Sequence, residues 1–214
     1  MSTDASAVEL SVPRMPKALA SASERASRAK HLGAPHVVPI NDLVDEIGRA
    51  MGWANLPYID PTFGGINSRA LLVMKAPEED ADPSRTDHRF LSFDNNDDGA
   101  ANMFEAFQRR GLARSLVLPW NVCPFPIVGY TPNAVERRRA APFTRRLLGM
   151  LPALEVVVTL GGPARDGWRP SELHPGRKLN LIAGASPSPP GINTLKNRQS
   201  FDAAIDQLTQ VLNR

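Results

Sequence analysis

The stretch Leu179-Asn180-Leu181-Ile182-Ala183-Gly184-Ala185-Ser186-Pro187-Ser188-Pro189-Pro190-Gly191 turns an apolar strand into a Ser/Pro loop. Proline lacks the amide donor and fixes φ, so the prolines at 187, 189 and 190 make a stiff edge that neither extends the strand nor begins a helix. Open α/β sheets place their chemistry at the carboxyl ends of strands. Alone, such a loop reads as a surface turn. Its neighbours decide whether it is more.

Working outward, three further apolar runs read as strands: Ser68–Met74, Ser115–Leu118 and Glu155–Leu160. Helical patterns separate them. Asp98–Arg110 turns Met103, Phe104 and Phe107 inward and stops at Gly111. Thr131-Pro132 opens a helix to Leu151, with proline at the first position. Ser200 caps a last helix bearing Phe201, Ile205, Leu208 and Leu212. Ahead of the first strand, Asn41 caps a helix to Met51. Strands alternating with helices predict an α/β protein: a three-layer α/β/α fold with a central four-stranded parallel sheet. Four loops then converge on one edge: 75–98, 119–130, 161–168 and 185–193. Residues 1–35, rich in Ala, Ser and charge, read as a mobile or loosely docked extension of a domain over 36–214.

A chain of 214 residues can bury a sizeable core without disulfides or metal. The lone Cys123 excludes an internal disulfide, a four-thiolate zinc site and a protein-ligated iron–sulfur cluster. No apolar run of about 18 residues occurs, so no membrane span is expected. Asp4 and Glu9 in a start without an apolar segment point to the cytoplasm. Net charge is only +3, but basic residues cluster at Arg109–Arg114, at Arg137–Arg146, and around the Ser/Pro loop at Arg177, Lys178, Lys196 and Arg198. Such groups read as solvated faces or as phosphate contacts beside a reading element. Gly64-Gly65 and Gly161-Gly162 lack phosphate-loop spacing. His31, His36, His88 and His174 are scattered, so neither metal nor cofactor is expected.

From about Tyr58 onward the chain resembles the uracil-DNA glycosylase superfamily. Met74-Lys75-Ala76-Pro77-Glu78-Glu79 matches that family's first motif, a strand running into a G-Q-D-P-Y-H or G-E-A-P-G loop. His88-Arg89-Phe90-Leu91-Ser92-Phe93 matches the run with the base-stacking aromatic, making Phe90 the stacker and Phe93 its reserve. Leu116–Asn121 matches the strand ending in the uracil-reading asparagine. Pro132–Glu136 and Leu160-Gly161 match the P-x-x-x-E helix and the strand ending in L-G. Ser186-Pro187-Ser188-Pro189 matches the H-P-S-P loop that enters the minor groove.

The resemblance implies an enzyme that flips uracil from DNA and hydrolyses its N-glycosidic bond, leaving an abasic site. The physical demands agree. Extruding a nucleotide costs a few kcal/mol of unstacking, and an aromatic platform returns about 1–3 kcal/mol. An asparagine amide can donate to uracil O4 and accept from N3–H, whereas cytosine reverses both polarities. Lys75, Ala76, Phe90 and Asn121 are the expected substrate-binding residues, and Ser188, Pro189, Gly191 and Arg198 the expected DNA contacts. Uracil-containing DNA is the expected partner, with the protein as a monomer.

Two departures bear on catalysis. Ala76 stands where the best-known branch has a water-activating aspartate, and Ser186 where it has histidine. Glu78, Glu79, Asp80 and Asp94 are the local carboxylates that could serve instead, with Glu78 preferred and Ser186 in the histidine's place. The slot of the aromatic that excludes thymine in one branch is also Glu78. Two alternatives stay open: a catalytically weak uracil or abasic-site binder, and a related α/β hydrolase acting on a free nucleoside or another small molecule.

Overall fold

A computed structural model describes residues 12–77, 89–174 and 176–214. The first elements are α1 (Ala22–Ala29), α2 (Val38–Met51) and β1 (Tyr58–Ile59). Then come β2 (Ala70–Met74), β3 (Phe90–Leu91), α3 (Asp98–Arg110), β4 (Val117–Asn121) and α4 (Ala134–Gly149). The chain continues with β5 (Val156–Leu160), α5 (Gly162–Gly167), α6 (Pro170–Leu173), β6 (Asn180–Gly184) and α7 (Leu195–Leu212). Four strands pair in parallel in the order β4-β2-β5-β6, with helices around them: the expected three-layer α/β/α fold. A two-stranded parallel sheet, β1 with β3, was not legible in the sequence; a strand of two residues has no period to detect.

That strand order positions the site. The chain steps from β2 through α3 to β4 at one edge, then back past β2 through α4 to β5. Right-handed crossovers in opposite directions put α3 and α4 on opposite faces. Accordingly, α3 packs with α7, while α4 packs with α2 and α6. The helices that follow β2 and β5 therefore lie on opposite faces, which makes these strand ends the switch point where open α/β sheets place their ligands. β2 and β5 run Ala-Leu-Leu-Val-Met and Val-Val-Val-Thr-Leu, almost wholly buried, as strands covered on both faces must be.

Several boundaries differ from those expected, each for a local reason. α2 starts at Val38 with Pro39 in its first turn; Asn41 lies inside the helix, buried, and its Oδ1 accepts from the Ile59 amide at 2.9 Å. β4 runs on to Asn121 through Pro119, because an edge strand tolerates the missing donor. α4 is capped by Asn133 in a reciprocal box with Glu136, so Pro132 precedes the cap instead of opening the helix. α7 begins at Leu195 behind Thr194, and Ser200 sits within it. By contrast α3 and its left-handed Gly111 stop fall where the sequence puts them.

The stretch 12–35 offers no large apolar face and is attached by charge. Arg28 of α1, 2% exposed, bonds Asp60 and also reaches Asp94 Oδ2 at 3.1 Å; both carboxylates are fully buried. Arg114 forks onto Asp94 at 2.7 and 2.8 Å. Ser92 donates to Asp60, and Leu19 N donates to the Asp94 carbonyl at 2.9 Å. Burial disfavours the Arg28 charge, but Asp60 and Asp94 outweigh it and hold the guanidinium above its ordinary range. No described helix is long and apolar enough to cross a membrane.

Candidate functional site

At the end of the sheet, Met74 pairs in register with Asn121. The ladder continues beyond both strands: Val122 N donates to the Met74 carbonyl at 2.8 Å and Cys123 N to the Lys75 carbonyl at 3.1 Å. These bonds seat Lys75 and Ala76 beside Asn121. Asn121 is 4% exposed, and no described residue hydrogen-bonds its amide. Nor is that amide among the sealed, unpaired polar atoms, so solvent still reaches it. A buried amide normally finds a protein partner. This one is left open to a partner that comes from solution.

Lys75 is half-buried and holds its Nζ 5.1 Å from the centre of the Tyr130 ring, on the loop after β4. Ala76 packs against the core and leaves no polar group at its position. Glu78, Glu79 and Asp80 lie outside the described residues. Asp94, the fourth candidate carboxylate, is corrected: both of its oxygens are taken by Arg28 and Arg114 in a buried cluster, leaving none to orient water.

Phe90 is 4% exposed but lies outside the contiguous core, whereas Leu91, facing the other way along β3, packs on it. Asn95 Nδ2 holds the Phe90 carbonyl at 2.9 Å. Phe93 is corrected as a stacking reserve. It is locked edge-on between Phe63 and Phe107, at 4.7 and 4.9 Å, under the Arg114 guanidinium.

At the neighbouring strand end, Gly161 follows β5 with φ +95°, and a Cβ there would come within 3.2 Å of Ser186 Cβ. Glycine is needed at that angle, and its bareness seats Ser186 against the strand end. Ser186 Oγ accepts from Ser188 N at 3.1 Å, which keeps its own proton free to donate. Ser188 lies over Gly99 in the first turn of α3, where a Cβ would meet its Oγ at 2.4 Å. Asn102 holds the Pro187 carbonyl at 2.8 Å and Asn197 the Gly191 carbonyl at 2.6 Å. The loop is thus clamped at both ends, with Pro187 buried and Ser188, Pro189 and Pro190 exposed. Arg198 is exposed on the second turn of α7, near this edge in sequence but without a bond to the loop.

The structure thus brings Lys75, Ala76 and Asn121 together and braces the loop that carries Ser186. Phe90 belongs to the separate two-stranded sheet. Missed were Tyr130, whose exposure no pattern announces, and Arg28, whose partners lie 32 and 66 residues away. Burial pushes the Cys123 thiol up to about 12, so it is no nucleophile at neutral pH. No group of acidic, His or Cys side chains among the described residues has the geometry of a metal site. Compared with protein-family models and with curated proteins, the chain finds no match.

Proposed function

We propose that this chain is a uracil-DNA glycosylase that extrudes uracil from DNA and hydrolyses its N-glycosidic bond, leaving an abasic site. One observation carries the reading: Asn121 presents a buried, unpartnered amide at a strand end beside Lys75 and Ala76. An amide offers one donor edge and one acceptor edge, the complement of uracil O4 and N3–H. With the amide oriented for uracil, cytosine at the same place would face donor with donor, at about 1–3 kcal/mol per unpaired buried group.

In this reading Phe90 supplies the face on which the extruded base stacks. The bond from C1′ to N1 breaks with its electron pair moving into the uracil ring. Lys75 and the free Ser186 proton then stabilise the anion. A water oxygen bonds to C1′, and its proton passes to a carboxylate, Glu78 by preference, and on to solvent. Ser188, Pro189 and Gly191 meet the DNA as a rigid edge, with Arg198 for phosphate. The protein acts as a cytoplasmic monomer without metal or cofactor.

Incubating a uracil-containing duplex with the protein and then cleaving at alkali tests this. Strand scission at uracil, absent with cytosine at the same position, supports it. An intact strand at stoichiometric protein overturns it. Ala76 and Ser186 favour a second reading, a binder that retains uracil or abasic DNA with negligible turnover. Tight gel-shift retention without scission selects it.

A further inference from the structure

Tyr130 is the one aromatic among the large exposed apolar side chains of the described residues, at 78% exposure, beside Val128 at 87%. The turn that carries it is tethered on both sides. The two oxygens of Glu136 accept from Val128 N at 2.8 Å and Asn133 N at 2.7 Å, and Gly129 makes the turn with φ +90°. The Lys75 ammonium covers one face of the ring and leaves the other to solvent. Lys75 is also the residue that follows β2 into the site, so Tyr130 stands on the site's rim.

Charge on the helix that follows the turn narrows the occupant. Arg138 and Arg139, exposed in the first turns of α4, have no ion pair among the described residues. Their neighbours are spoken for: Arg137 binds the Pro132 carbonyl, Arg145 the Glu172 carbonyl, and Arg146 pairs with Glu46. An exposed aromatic ring under an ammonium, followed along the chain by two exposed guanidinium groups with no ion pair among the described residues, fits a nucleic-acid strand, in which a base stacks and phosphates meet cations.

We infer that the Val128–Tyr130 turn is a second DNA-contacting element, in which Tyr130 stacks on an unpaired base flanking the extruded nucleotide and Arg138 and Arg139 take the adjoining phosphates. This rests on the glycosylase reading of the site. It assigns to the loop after β4 a role in holding the strand, distinct from reading the base.

The test measures Kd for a uracil-containing single strand across a salt series, using the full chain. Tyr130→Ala is expected to raise Kd about tenfold with the salt slope kept, since stacking releases no counterions, and Tyr130→Trp to restore it. Arg138→Gln with Arg139→Gln is expected to flatten the slope by about one to two units. Tyr130→Ala binding within twofold of wild type overturns the stacking role, and an unchanged slope in the arginine variant overturns the phosphate role. Scission at uracil by the wild-type protein, read in parallel, separates the two failures. If scission occurs while Tyr130→Ala binds normally, only this inference falls. If wild-type protein neither binds the strand nor yields scission, the glycosylase reading falls and this inference with it.

Discussion

The Cys123 amide donates to the Lys75 carbonyl at 3.1 Å, past the last residue of either strand. That bond carries the β2–β4 pairing two residues into what would otherwise be two independent loops. It fixes Lys75 and Asn121 relative to each other before any ligand arrives, which is what a site relying on a single amide for recognition requires.

Recognition by an unpaired amide separates stability from function at Asn121. The free protein leaves the Asn121 amide unpaired but not sealed, so an apolar residue of similar volume costs it little. Asn121→Leu is expected to keep the urea midpoint while lowering uracil release about hundredfold. A clear drop in stability would mean that the amide already has a partner.

The two phenylalanines near β3 are expected to separate cleanly. Phe93→Ala opens a cavity in the core and loses about 3–5 kcal/mol in chemical denaturation. Phe90→Leu keeps apolar bulk but removes the flat ring, so affinity for uracil DNA should fall about tenfold with little change in melting temperature. Fluorescence titration beside a thermal scan distinguishes them.

Arg28 fastens α1 to the domain through two fully buried carboxylates. Removing one partner of a buried pair is costly, so Arg28→Met should lose about 3–5 kcal/mol in urea unfolding. Asp60→Asn in the Arg28→Met background should recover part of it, since the stranded charge is gone. A double-mutant cycle showing no coupling would refute the ion-pair account.

Alkaline pH should destabilise the fold through two raised groups. The Cys123 thiol goes from 9.0 to about 12 by burial, reinforced by Glu136. The Tyr58 hydroxyl goes from 10.0 to about 12, chiefly because it donates to Asp45. Each stays protonated in the fold where the unfolded chain would ionise. Their stabilisation is therefore full below about pH 9 and is lost as pH rises toward 12. Cys123→Ala and Tyr58→Phe should each flatten that limb in urea titrations from pH 8 to 11. The native thiol should stay inert to disulfide reagents at pH 8.

Fold and site were unequally legible in the sequence. Strands buried on both faces read as apolar runs, and α3 carried its inward residues and its glycine stop in plain view, so the layers followed. Chain entry into helices was harder. Asn41 looked like a cap and is a buried partner of Ile59, while the true caps, Asn133 and Thr194, sat among other polar residues. Within the site, Asn121 and Lys75 were legible because they fall in short motifs at the ends of apolar runs. Asp94 seemed free to activate water because its two arginine partners are remote in sequence, and only folding brings them together. Tyr130 was overlooked because sequence gives no measure of exposure.

The most direct measurement is release of free uracil from a uracil-containing duplex in single-turnover conditions, comparing wild type with Asn121→Leu. The account predicts uracil release by the wild-type protein, a roughly hundredfold slower rate for the variant, and no base release from a cytosine control. Absence of uracil release by wild-type protein in stoichiometric excess, or equal rates for the two proteins, would contradict it.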